Sequence, residues 1–179
     1  MLKASFHRRE TRRMDKRLGR QQSGMMIIEA MVAIMIVLLG ILGIAGLLAK
    51  STALAGQAQY RTEAGMYAEQ IVQMISLSVD RSSDANLATS LQGFQHQAAG
   101  TKQCDFSGDS ISETSATGQL LKAARGGLAN VAGLPGALSA GQQVKVETTN
   151  NINKITVTLC WKAPADGATR NYQIQAFVH

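Results

Sequence analysis

Aromatic residues make up only 4% of this chain, and its 179 residues include two prolines, two cysteines and three histidines. Each scarcity closes off a class of function. So few aromatics argue against a groove that stacks sugars or single-stranded bases on exposed rings. His7, His96 and His179 stand far apart, and no Cys-x-x-Cys or His-x-x-x-His spacing occurs, so the pattern for a bound metal is missing. There is no Gly-rich phosphate loop, nucleophile elbow or paired acidic motif, and no cofactor is expected. Asp105 and Asp109 frame Cys104 in a polar segment and read as solvated turn residues. An exported enzyme held by a single helix is the alternative from the catalytic class, and no motif favours it.

Charge is absent where most chains carry it. From Met25 to Ala49 run 25 residues of which Glu29 alone is ionisable. As a helix this run would be about 37 Å long, enough to cross a hydrocarbon core of about 30 Å with some tilt. A signal peptide does not fit, because its apolar core is about 7 to 15 residues and ends at a small-x-small cleavage site. A carboxylate inside such a run is costly, so Glu29 either has a partner or lies near enough to the interface to reach water.

What charge there is sits in front. Met1 to Gly24 holds eight basic and two acidic residues, a balance of +6 that equals the net charge of the whole chain. The remainder is neutral, so the basic character belongs to a leader, and a nucleic-acid role for it lacks folded context and interleaved aromatics. Such a segment is retained in the cytoplasm by the positive-inside rule, which sends the remainder across the membrane. Met14 offers an internal start that would leave a shorter leader.

The segment Gly24-Met25-Met26-Ile27-Ile28-Glu29, followed by an apolar helix, resembles the class III leader of type IV pilins and pseudopilins, whose usual form is Gly-Phe-Thr-Leu-Ile-Glu. Met25 and Met26 stand where phenylalanine and threonine are common. The resemblance implies that a prepilin peptidase cuts after Gly24 and N-methylates Met25. It also implies that Glu29, fifth in the mature chain, neutralises the amino terminus of a neighbouring subunit during assembly. The physics agrees, since in low dielectric an amine and a carboxylate are far better paired than left apart.

Beyond the apolar run, Lys50 to Val79 contains no proline and turns amphipathic, with Leu54, Ala58, Gly65, Ala68, Val72, Ile75 and Val79 forming one apolar stripe. One helix from Met25 to Val79 is expected, with 25–49 as its membrane half and 50–79 packed on a head. Gly40, Gly43 and Gly46 either allow this helix to bend or unwind in a fibre or are simply tolerated in lipid. Residues 80–141 form a helix and loop connection. Ser83 or Asp84 caps a short helix carrying Leu87, Leu91 and Phe94; Gln97 to Ser115 reads as loop; Leu120, Leu121, Ala124, Leu128 and Val131 mark a further helix stopped at Leu134-Pro135-Gly136.

Alternation defines the last part, residues 142–179. Val144 and Val146, then Ile155, Val157, Leu159 and Trp161, then Tyr172, Ile174, Ala176 and Val178 alternate with polar neighbours, with turns at Asn150-Asn151 and at Pro164 with Asp166-Gly167. This predicts a three-stranded antiparallel meander laid on the long helix, an α+β, type IV pilin-like fold. The Leu134-Pro135-Gly136 stop and the Ile155–Trp161 strand before Tyr172 are similar to the PilV, or type IV pilus modification, family of minor pilins. That resemblance implies a low-abundance subunit of a priming complex, with a prepilin peptidase, other minor pilins, the major pilin, the inner membrane and its assembly platform as partners, and a final place in the pilus at the cell surface. A pseudopilin of type II secretion is the near alternative. In an exported domain Cys104 and Cys160 are expected to pair, tying the polar loop to the sheet face opposite Trp161; two free thiols are the other possibility.

Overall fold

The computed structural model describes residues 25–149, 152–164 and 166–179. The leader through Gly24 and the turn at Asn150-Asn151 lie outside the described residues. The elements are α1 (Met25–Ser78), α2 (Asp84–Gln92), β1 (Ala99–Lys102), β2 (Asp105–Ser107), α3 (Ala116–Ala124), a 3-10 turn (Ser139–Gly141), β3 (Gln142–Thr149), β4 (Ile152–Trp161) and β5 (Arg170–Val178). The chain divides into two units, residues 1–47 and 48–179.

The described part of the first unit is helix throughout, and every side chain from Met26 to Leu47 is exposed. The chain stays helical through Gly40, Gly43 and Gly46, and a Cβ built at any of these would meet nothing within 4 Å. By length and composition α1 can cross a membrane.

In the second unit, β3, β4 and β5 form an antiparallel sheet in that order. Val144 pairs with Val157, and Val157 with Ile174, so the alternating apolar residues of all three strands share one face. That face and α1 bury one core of Ala64, Ala68, Ile71, Ile75, Ile155, Val157 and Leu159, joined by Leu87 and Leu91 of α2 and Leu121 of α3. Gly65 is buried beneath the Tyr172 ring, which a Cβ built there would meet at 3.4 Å, an ordinary contact.

The amphipathic stripe differs from the sequence reading at its start. Leu54 is 64% exposed and Ala58 is exposed, whereas Ala64 and Ile71, which the reading left out, are fully buried, and Val72 is half-buried. The sheet covers the helix from about Tyr60 onward, and the residues before it line an open groove. Hydrophobicity alone marked Leu54 for the core, but no strand reaches it.

Two further expectations are corrected. The 97–115 segment is not all loop, because β1 and β2 form an antiparallel hairpin within it. No apolar alternation announced it, as both strands are short and polar. The second short helix ends at Ala124, so Leu128 and Val131 fall outside it. Gly126 (φ +73°) and Gly133 (φ +61°) explain the stop: the chain turns left-handed and folds back until a Cβ on Gly133 would lie 2.1 Å from the Gly126 nitrogen. The Leu134 N–H then donates to the Ala124 carbonyl at 2.8 Å, closing the return. The earlier short helix matches its expected cap, with the Ser83 hydroxyl accepting from the Asn86 N–H, although Phe94 lies beyond its end.

Candidate functional site

Glu29 stands on the second turn of α1, exposed, with Met26, Ile27, Ile28, Met31 and Val32 exposed around it. Among the described residues no cation pairs with it. Met25 begins the helix, and Gly24 lies outside the described residues. The carboxylate is therefore one ionisable group on an apolar surface that nothing in the described chain covers. In a bilayer that arrangement needs a cation from elsewhere or contact with the headgroups.

The two predicted cysteines are brought together. Cys104 and Cys160 form a disulfide, with their Cα atoms 5.7 Å apart and a sequence separation of 56. Cys104 adopts φ +63° in the tight link between β1 and β2, which turns its side chain toward β4. The bridge pins the hairpin to the sheet. Gly141 stands close by, and a Cβ built on it would lie 3.2 Å from the Cys160 Cβ.

Ion pairs link the loop before α3 to that helix and tie β3 to β4. Glu113 accepts from both Lys122 and Arg125, joining the loop before α3 to that helix, and the Arg125 bond is the first cause holding its carboxyl below the usual range. Glu147 lies between Lys145 (2.8 Å) and Lys154 (2.5 Å), which lower its pKa to about 2. These pairs are partly exposed, and pairs of that kind add little stability each.

Sequence reasoning passed over a buried polar group. His96 is bridged to the edge of β3, its N–H donating to Val144 at 3.0 Å and its carbonyl accepting from Val144 at 2.9 Å. Its Nδ1 accepts from the Ile111 N–H at 3.3 Å, and among the described residues its buried Nε2 has no partner. Burial first, and the Arg125 charge second, push its pKa below the ordinary value, with Glu113 acting the other way. A lone histidine in a polar segment carries no sequence signal of burial; only the β3 pairing encloses it. Among the described residues no group of three metal-ligating side chains occurs.

No protein-family model, curated protein or solved structure matches the chain. Its function must be argued from these residues alone.

Proposed function

We propose that the chain is a minor pilin of a type IV pilus, of the PilV kind. Its leader is cut after Gly24, Met25 becomes the methylated amino terminus, and the subunit enters a priming complex with other minor pilins at the inner membrane. The single observation that carries this reading is Glu29, the one ionisable residue in the apolar run, placed five residues after Gly24. The coarser features agree with it: a helix long and apolar enough to span a membrane, and a small α+β unit with an antiparallel sheet closed by a disulfide.

In this reading the roles divide along the chain. The leader keeps the amino terminus cytoplasmic until cleavage. The new ammonium group of one subunit then meets the Glu29 carboxylate of its neighbour in lipid, where a paired charge costs much less than an unpaired one. Because the acid sits about one turn into the helix, pairing sets a fixed stagger between subunits.

The test is piliation in a strain carrying Glu29→Gln, which keeps the shape and removes the charge. The protein is expected to be cut normally while the number of surface pili falls severalfold. Unchanged piliation would show that the carboxylate does not act in assembly.

A further inference from the structure

Residues 108–115 join β2 to α3 without regular structure, and two bonds hold the first half of this loop against the residues that follow α2. The Gln97 N–H donates to the Asp109 carbonyl at 2.7 Å, and the Ile111 N–H donates to His96 Nδ1 at 3.3 Å. Held there, Asp109, Ser110 and Ile111 line a groove of about 650 Å³ together with Gln92, Gly93 and Gln95 from the end of α2. The second half of the loop is tied to α3 instead: Glu113 pairs with Lys122 and Arg125, and the Ser112 carbonyl accepts from the Ser115 N–H at 3.1 Å. Gly108, at φ +108°, is the joint at the other end.

His96 exchanges both backbone bonds with Val144, so the two side chains stand on one face, and Val144 is fully buried in the core. The imidazole is enclosed with it. A ring whose Nδ1 accepts carries its single proton on Nε2, and that buried N–H has no partner among the described residues. A second proton can go only on Nδ1. It turns the acceptor into a donor aimed at the Ile111 N–H, and it leaves a buried cation whose two N–H groups find no acceptor among the described residues. The charges that act on the ring are Arg125, just after α3, which repels such a cation, and Glu113, which attracts it but is already shared between Lys122 and Arg125. The end of α2 and the edge of β3 bring the uncharged Phe94, Gln95 and Val144, and the loop's own acid, Asp109, is exposed.

We infer that His96 is a proton-sensitive latch: uptake of a proton by its ring releases the Ile111 N–H, and residues 108–111 swing away about Gly108. Ile111 is half-buried against the core while the latch is closed, so opening bares an apolar side chain beside a groove otherwise lined by polar and small residues. In the open form the ring is wet and titrates near its ordinary 6.5, whereas burial first, and Arg125 second, hold the closed ring lower. The latch is therefore at full strength above pH 6.5. Below that, the open fraction rises about tenfold for each pH unit until the lowered value of the closed ring is reached. All of these residues lie within the 48–179 unit, and the latch does not depend on the pilin reading.

The experiment is amide hydrogen exchange of the detergent-solubilised full chain, read by NMR at a series of pH values and at low urea. After correction for intrinsic rates, the Ile111 and Gln97 amides are expected to exchange about tenfold faster for each pH unit below 6.5, without responding to urea, as local opening does. The Val157 amide, at the centre of the sheet, is expected to exchange much more slowly and to speed up with urea, as global unfolding does. If Ile111 and Val157 share one rate and one urea response, the ring is released only by complete unfolding and the latch is overturned; an Ile111 rate that ignores pH overturns it as well. His96→Asn keeps a side-chain oxygen that can accept the Ile111 N–H and does not titrate, so it is expected to remove the pH dependence, and an undiminished dependence would assign it to another group. The wild type alone gives a second reading. Its His96 Cε1–H and Ile111 N–H resonances are expected to titrate with one midpoint, and separate midpoints would overturn the latch even if the variant does not fold.

Discussion

Reducing the Cys104–Cys160 bridge is the perturbation whose size the structure sets most directly. The bridge closes a loop of 56 residues, and in the chain-entropy account a loop of that length restrains the unfolded state by about 4 kcal/mol. For a unit of this size 1 kcal/mol moves the melting temperature by roughly 4 °C, so full reduction is expected to lower it by about 15 °C. Cys160 is only 3% exposed, so its replacement by alanine also leaves a small void, and the double variant is expected to melt no higher than the reduced protein. The assay is thermal unfolding of the detergent-solubilised chain followed by near-ultraviolet circular dichroism, which reports Trp161 within the core. Wild type with and without reductant is compared with Cys104→Ala/Cys160→Ala. The reduced protein and the double variant are both expected to melt well below the oxidised one. A difference of less than about 3 °C between oxidised and reduced protein would refute the argument, and would mean that the hairpin is held by its other contacts.

Other outcomes follow from the same structure. Ile71→Ala empties a fully buried position at the centre of the helix–sheet core and is expected to cost about 2 to 5 kcal/mol in urea unfolding, whereas Leu54→Ala is expected to cost under about 1 kcal/mol. Comparable losses at the two positions would contradict the corrected stripe. His96 is held neutral in the fold with its pKa below 6.5, so the unfolded chain takes up the proton first; the stability this contributes is complete above pH 6.5 and is lost as pH falls from there through the lowered folded value. Melting temperature measured from pH 7.5 to 5.5 is therefore expected to fall in the wild type and to be flatter in His96→Gln; parallel profiles would remove His96 as the cause. Gly133→Ala is expected to cost several kcal/mol in the same unfolding assay, because its Cβ would strike the Gly126 nitrogen, and a neutral result would show that this turn is free to move.

Periodicity made the long helix and the three closing strands legible before any coordinates. Both signals are long and regular: Met25 to Ser78 carries no proline, and Ile155 to Trp161 alternates without a break. The Ser83 cap of α2 and the pairing of the two cysteines were also accessible, because each depends on a local residue type or on having a single possible partner. The β1–β2 hairpin was not, since Ala99–Lys102 and Asp105–Ser107 have no apolar face and exist through the disulfide and the backbone ladder. The end of α3 was misjudged because Leu128 and Val131 kept the helical spacing past Gly126, and the left-handed glycine outweighed it. Burial of His96 depends on its pairing with Val144, distant in sequence, which no spacing rule can join. Glu29 is the opposite case. Its isolation in an apolar run is a property of the sequence itself, and the fold adds only that the surface around it is uncovered.

Intact-mass analysis of the chain co-expressed with a prepilin peptidase tests the central claim most directly. The wild type is expected to lose Met1 to Gly24 and to carry one methyl group on Met25, while Gly24→Ala stays at full length. A wild-type mass that retains the leader would contradict the account and leave an ordinary single-span membrane protein with a disulfide-closed head.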